Sequence, residues 1–436
     1  MNGTGSLRQR SLDRQTAASR ENGSALTLEN AVRQALSWHP SIDEAVGRLN
    51  QQTAEIDSAR SGYYPRIRGG VGAPYESSYG GGWRPRLNVS ASQMIYDFGK
   101  VSSSVDAEAA GANVSHAQLL LGVDTLVRDT ANAVIEAQRY RALLGVARAQ
   151  VDGVAAIATL ARQRSSRGAS TRSDLVQADA RVEAARSTVS QIGAQLARWE
   201  SILANFIGAA GPVHPVPSVP DWLSNACDVR EPQWSQVPAM QQAEARRREA
   251  LAQLDLSRAQ RFPTVSLDAS GGYYLTQRPE SDSGGSLDRS EFTVGLNLSM
   301  DLYDGGLTEA RRNAARHALR AADAAIKNAR VTISRGLMEA SSQTESLNSL
   351  LALLSTRGGM MEETRDLYRR QYVELGTRTL LDLLNAEQEL HQSRFDTVNT
   401  VHDLRKLEME CVFNSGKSRE LFGLEGMTIR GATLSR

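Results

Sequence analysis

From Phe292 to Leu302 the chain alternates. Apolar side chains at Phe292, Val294, Leu296, Leu298, Met300 and Leu302 are separated by Thr293, Gly295, Asn297, Ser299 and Asp301. A period of two marks a strand with one apolar and one polar face. This strand is long, since about five or six residues is usual in a globular sheet. Three further segments read as strands: Arg66 to Ser77, Arg86 to Ile95 and Thr264 to Thr276. The connections "YGGGWRP" and "RPESDSGGSLD" are rich in Gly, Ser and Pro, as hairpin loops are.

Elsewhere the apolar spacing is helical. "LTLENAVRQALSWHPSIDEAVGRLNQQTAEIDSAR" opens with Thr27 as a cap and Glu29 in the first turn, and Pro40 predicts a break. After each hairpin comes a proline-free run, Val101 to Arg164 and Thr308 to Val373. Roughly 65 helical residues would span about 100 Å, some three times the thickness of a bilayer core. In the second run Ala310, Ala314, Ala318, Ala321, Ala325, Ala329, Ile333 and Leu337 fall at steps of three and four. That interval lets helix axes approach as in a coiled coil. The breaks "RSSRGAST" and "YVELGTRT" then predict a turn, and a second helix of roughly 40 residues runs back.

The same order occurs twice. "AEIDSARSGYYPRIRG" (from Ala54) recurs as "AQLDLSRAQRFPTVSL" (from Ala252), and "LNVSASQMIYDFG" (from Leu87) recurs as "VGLNLSMDLYDGG" (from Val294). "GASTRSDLVQAD" (from Gly168) recurs as "GTRTLLDLLNAE" (from Gly376), with equal Gly-to-Asp spacing. Three anchors in one order, offset by about 200 residues, indicate an internal duplication. The expected organisation is a disordered polar tail 1–25 and a first repeat 26–208, with its hairpin at 66–96 and long helix at 101–165. A connector 209–238 follows, holding six of the twelve prolines. The second repeat covers 239–423, with its hairpin at 264–302 and long helix at 305–374, and a tail 424–436 ends the chain.

Composition excludes some classes. Lys plus Arg (50) nearly cancels Asp plus Glu (49), so charge gives no argument for nucleic acid. No unbroken run of about 18 apolar residues occurs, which argues against a transmembrane helix but not against a membrane barrel. The N-terminal "MNGTGSLRQRSLDRQTAASRENGSA" lacks the apolar core of a secretory signal, so the chain is either cytosolic or a mature form. Cys227 and Cys411 are too few for a disulfide scaffold or a cysteine zinc site; two unpaired buried thiols are expected, with one long-range disulfide as the alternative.

Four strands cannot close a membrane barrel, which needs about eight or more, and an open apolar sheet would aggregate. Either several chains share one barrel, or the apolar faces pack on the protein's own helices. The motifs "ARSGYYPRI", "AQRFPTVSL", "YDFGK", "YDGG" and above all "LGTRTLLDLLNAEQEL" resemble the TolC family of outer-membrane channels, from about Leu26 to Gly423. The resemblance implies a mostly α chain with β strands that forms a homotrimer. Its 12-stranded barrel would sit in outer-membrane lipid of a Gram-negative bacterium and continue as a helical coiled-coil barrel through the periplasm. It also implies that a signal peptide has been removed. A lipoprotein anchor is not expected, because no cysteine lies near the start.

The implied function is a passive exit duct with no cofactor and no metal, working with a periplasmic adaptor (membrane fusion) protein. "LTLENAVRQALSWHPSI" and "YDFGKV" look most like the type I secretion branch, in which an inner-membrane ABC transporter exports a large protein such as an adhesin. Drug or metal efflux with a proton-driven pump is the alternative; from another class, a soluble coiled-coil scaffold is the competitor. Carried over from the family, Arg378 would bond to Ser173 and Asp174, partly between neighbouring chains, and Asp382 would be a pore-ring carboxylate. Asn385 stands where a second ring acid is common, and Tyr372 stands four residues before Gly376 instead of three. Adaptor contact falls to Arg167, Gly168, Leu375 and Gly376 at the turns. On spacing alone, Arg378 and Asp382 are four apart and would pair with each other.

No catalytic constellation is evident. "DFG" at Asp97–Gly99 reads as a strand-end turn, since no glycine-rich loop or "HRD" accompanies it. "GKS" at Gly416–Ser418 lacks the upstream glycine of a phosphate loop, with Cys411 in its place. The six histidines are scattered and read as lying on solvated helix faces.

Overall fold

The computed structural model describes residues 26–76, 82–229, 231–275 and 289–434. The expected tail 1–25 and the loop sequences at 77–81 and 276–288, including Ser77 and Thr276, lie outside the described residues. In the first repeat the order is α1 (Leu28–Trp38), α2 (Pro40–Arg60), β1 (Arg66–Gly72), β2 (Tyr75–Glu76), β3 (Gly82–Trp83), β4 (Arg86–Tyr96), α3 (Lys100–Ser166) and α4 (Arg172–Ile207). The second has α5 (Pro238–Ala259), β5 (Thr264–Tyr274), β6 (Ser290–Ser299), α6 (Leu307–Arg370), a π turn (Gln371–Leu375) and α7 (Leu380–Ser415). The short α8 (Ser418–Leu421) and the hairpin β7 (Thr428–Ile429) and β8 (Ala432–Thr433) close the chain. The end expected as a tail is thus an ordered hairpin, where Arg430 pairs with Asp43 and donates to the Ser37 carbonyl at 3.1 Å.

Two compact units are present. One comprises Glu44–Leu119 and Ala239–Arg330, the other Met1–Asp43, Leu120–Pro238 and Val331–Arg436. Each draws residues from both repeats, so neither repeat is a domain by itself.

The first of these units holds an antiparallel sheet in the order β1-β4-β5-β6. Its register sorts the faces. Ile67 pairs with Ala91, Ala91 with Ala269 and Ala269 with Val294; Val71 pairs with Leu87, and Leu267 with Leu296. The opposite face carries the rows Arg68-Ser90-Ser270-Thr293 and Arg66-Ser92-Asp268-Gly295. There Ser92 donates to Asp268 at 2.5 Å. β6 ends at Ser299, three residues before Leu302, because the chain turns toward α6.

Both strand-to-helix corners use one device. Asp97 accepts from the amides of Gly99 (2.9 Å) and Val101 (2.6 Å), and Asp304 from those of Gly306 (3.0 Å) and Thr308 (2.8 Å). The "DFG" and "DGG" motifs therefore satisfy the orphan amides of two long helices. Phe98 (φ 57°) and Gly305 (φ 68°) occupy the same left-handed position, one held there without glycine's freedom.

In the other unit the connector crosses the helices as a strap. Gln138 donates to the Val216 carbonyl at 2.6 Å, and the Gln233 amide donates to the Ser415 carbonyl at 3.0 Å. Between these points Cys227 and Cys411 form a disulfide with Cα atoms 5.2 Å apart, which corrects the expectation of free thiols. Spacing could not reveal it, because 184 residues separate the two. In the chain-entropy picture a loop of that size is stabilised by about 5 kcal/mol. Gly416 of "GKS" caps α7 with φ 79°, and a Cβ there would meet the Val237 amide nitrogen at 2.9 Å. His391 (2% exposed) and His402 (6%) are buried, not solvated as expected. Burial first of all lowers the pKa of His402 and favours its neutral form.

α3 is buried along much of its length, whereas on α6 the alanine seam is buried in the chain only from Ile333 onward, and Ala310, Ala314, Ala318, Ala321 and Ala325 are exposed. By length and composition α3 is also apolar enough to cross a membrane, with an 18-residue window of mean hydropathy 1.4. Isolated polar residues interrupt that window, so it contains no unbroken apolar run.

Candidate functional site

The two turns between long and returning helices lie in the same unit and are built alike. At the first, α3 ends after Ser166 and Gly168 takes φ 75°. Thr171 caps α4: its Oγ1 accepts from the Asp174 amide at 3.2 Å, and the Asp174 carboxylate accepts from the Thr171 amide at 2.9 Å. At the second, Gly376 takes φ 63°, and Thr379 and Asp382 form the same reciprocal pair at 3.2 and 3.1 Å. This is the capping box, written T-x-x-D in both copies. Backbone hydrogen bonds, from Thr171 and Thr379 respectively, are the leading cause that holds both carboxyls below the usual carboxylate pKa range. Both aspartates are therefore ionised at neutral pH.

Within the chain the other expected residues take local partners. Arg378 stacks over the Tyr368 ring at 4.3 Å and donates to Gln371 Oε1 at 3.2 Å. Ser173 shares a hydrogen bond with Thr171 Oγ1 at 2.8 Å, and Ser170 donates to Asp174 at 2.9 Å. No hydrogen bond joins Arg378 to Ser173 or Asp174 among the described residues of one chain. Arg167, Leu375 and Gly376 are exposed, Leu375 by 69%, and a Cβ on Gly168 would meet open space. Asn385 is exposed on α7, three residues after Asp382.

Tyr372 is different, being 4% exposed in a core with Ile157, Ala161, Val182, Leu380 and Leu383. It sits inside the π turn, which takes up one more residue per turn than an α-helix, and that accounts for its extra step from Gly376. Arg164, which carries no sequence signal for this contact, stacks on the Tyr372 ring at 4.6 Å and donates to the Tyr372 carbonyl. It thereby ties the end of α3 to the second turn.

Just beyond the tips lies a buried polar knot. Glu387 accepts from His391 at 3.1 Å and lies 3.5 Å from Arg365. Burial raises its pKa, but the His391 hydrogen bond and charge and the Arg365 charge outweigh that and keep it ionised. Gly153 of α3 makes the room, since a Cβ there would come within 1.8 Å of Glu387 Oε1. Neither Gly153 nor Glu387 carries a sequence signal for this contact.

The sheet presents the second candidate surface. On β6, Phe292, Val294, Leu296 and Leu298 are 51–77% exposed in the chain. Aromatic side chains gather at both ends of the strands: Tyr64, Tyr96, Phe98, Phe262 and Tyr303 at one, Tyr75, Trp83 and Tyr273 at the other, all exposed. Phe98 stacks on Phe262 with centroids 5.6 Å apart. An apolar band between aromatic girdles is the lipid-facing pattern of membrane barrels. No cluster of three or more potential metal ligands occurs among the described residues.

Comparison with known proteins agrees with this geometry. The family described as Outer membrane efflux protein matches residues 31–209 and 235–406. Protein CyaE of Bordetella pertussis is 28% identical over 320 residues, covering 70% of this chain and 66% of its own length, just under two thirds. Nodulation protein T of Rhizobium leguminosarum bv. viciae is 23% identical over 411 residues, covering 87% of this chain and 80% of its own. The crystal structure of the outer membrane protein VceC from Vibrio cholerae superposes with a TM-score of 0.77 at 19% identity, over 89% of this chain and 96% of that one.

Proposed function

Because this chain belongs to the outer membrane efflux protein family, we propose that three copies of it form the outer-membrane exit duct of a tripartite export system, joined to a periplasmic adaptor and an inner-membrane transporter. The protein is an outer-membrane channel protein that extends into the periplasm. The observation that carries the duct is the sheet, whose one face is exposed and apolar while the other is lined by Arg66, Arg68, Asp268 and Asn297. Among the described residues of one chain β1 and β6 are each paired on one side, so further copies would complete the ladder. The exposed seam of α6 supports the same assembly, because alanine there admits a close neighbouring helix.

Replacing Leu296 with Arg would put a charge among lipid tails, at a cost of about 2–4 kcal/mol near the midplane. Leu296→Arg is expected to lower assembled trimer in outer-membrane fractions at least about tenfold, while Asn297→Arg, directed to a wet lumen, leaves it near wild type. Equal losses would overturn the assignment of the faces.

Type I secretion through an ABC transporter is the favoured system, on the likeness of "LTLENAVRQALSWHPSI" and "YDFGKV" to that branch. Drug or metal efflux is the second reading, favoured by the description of the family itself. Deletion in the native host discriminates: loss of one large protein from the medium with unchanged drug and metal tolerance is expected, and the reverse pattern would establish efflux. In either system, Arg378, Ser173, Asp174, Tyr372, Asp382 and Asn385 belong to the closing tip. Arg167, Gly168, Leu375 and Gly376 meet the adaptor.

A further inference from the structure

We propose that the Cys227–Cys411 bond is made by thiol–disulfide exchange that enters the protein at Cys227, with a disulfide-bearing protein of the oxidising compartment as the reaction partner. The two sulfurs are not equivalent. Cys411 lies on α7 with no exposed surface, packed against Leu337 and Ala340 of α6. Cys227 is only partly buried and lines an opening of about 460 Å³ with Val229, Leu337, Met338, Ser341 and Glu345. Met338 at its rim is 72% exposed. A reagent can therefore reach Cys227 in the packed unit, whereas Cys411 is reached only through Cys227.

The chemistry follows from that asymmetry. The Cys227 thiolate attacks one sulfur of the partner's disulfide; the bond between the partner's sulfurs breaks and its second sulfur leaves as a thiolate. Cys411, as thiolate, then attacks Cys227 Sγ, forms the internal bond and releases the partner's first sulfur. Two thiols of this chain lose two electrons, the partner's disulfide gains them, and the two protons pass to the dithiol it becomes. Packing brings the cysteines together beforehand: the connector is already held to the end of α7 by the Gln233 amide on the Ser415 carbonyl (3.0 Å) and to α8 by Arg419 donating to the Gln236 carbonyl (2.5 Å). Exchange thus fastens a strap that the fold has laid in place.

The test uses the full chain, purified in detergent, reduced, and challenged with oxidised glutathione. Cys411→Ser is expected to form a glutathione adduct at Cys227 at least about tenfold faster than Cys227→Ser forms one at Cys411, a difference governed by access. In urea the two rates should converge. Should Cys411→Ser fail to fold, reduced wild-type protein quenched early is read by mass spectrometry, with the adduct expected on Cys227. Equal rates in the folded variants, an early adduct on Cys411, or two free thiols in protein isolated from the cell envelope would each overturn the proposal.

Discussion

The Asp124 carboxyl is fully buried, with Arg419 Nε 3.5 Å away but not hydrogen bonded to it. Burial therefore prevails over the guanidinium charge and pushes its pKa up from 3.8 to about 7. Glu408 moves the same way, from 4.5 to about 7, by burial against the pull of Arg405. A raised carboxyl pKa means that between about pH 4 and 7 the folded chain binds a proton the unfolded chain has released. Stability then falls as pH rises through that window and levels off above it, by at most about 1.4 kcal/mol per pH unit for each group. Asp174 and Asp382, whose values are lowered, contribute in the opposite sense: their stabilisation is present above the ordinary carboxylate range and is lost in acid below it. Thermal unfolding followed by helical circular dichroism should show the decline from pH 4 to 7. Asp124→Asn should shallow it, and the double change with Glu408→Gln should remove it, leaving the rise with pH that the lowered pKa of His402 gives below 6.5. A slope that neither substitution alters would assign the pH response to other groups.

Elements were legible where local chemistry repeats. The duplicated "YD" corners and the T-x-x-D caps each satisfy their own backbone within a few residues, and the alternation of β6 is a side-chain period of two although its backbone pairs with β5, so all three can be read from a short window. The limits of α3 were legible for the same reason, since its proline-free run lies between glycines that take positive φ, whereas α6 stops at Arg370, short of the expected 374, because the π turn begins there. What was hidden lies across long separations or one residue out of step. Gly153 was unremarkable until Glu387 was seen to fill its missing side chain from 234 positions away. His391 looked solvated because it and its partner Glu387, itself paired with Arg365 of α6, are enclosed only when α6 and α7 pack. The π turn adds a residue without a sequence signature, and Arg164 reaches Tyr372 across 208 positions. The disulfide belongs with these, as a contact made by packing and invisible to spacing.

For the whole molecule, the sheet and the tips ask separately for further copies. Four strands are about half of the smallest membrane barrel, so one chain cannot close it, and the proposed closure is the three chains that the family resemblance implies. The same symmetry would set three Asp382 carboxylates around one axis, each ionised because the Thr379 amide hydrogen bond favours its charged form. Carboxylates held together in this way attract hydrated cations. Asp174 supplies an internal control, since it occupies the equivalent capping position in the first repeat. Asp174→Ala and Asp382→Ala each remove half of a capping box and loosen the first turn of α4 or α7 in the same way. Only Asp382→Ala also removes the proposed ring. In planar bilayers Asp382→Ala should abolish most of the block by divalent cations added on the tip side, whereas Asp174→Ala should retain it even if frayed caps make its openings longer. Identical block in wild type and both variants would show that the cation-attracting constriction is formed by other side chains, and would remove Asp382 from the pore while leaving its role as a helix cap intact.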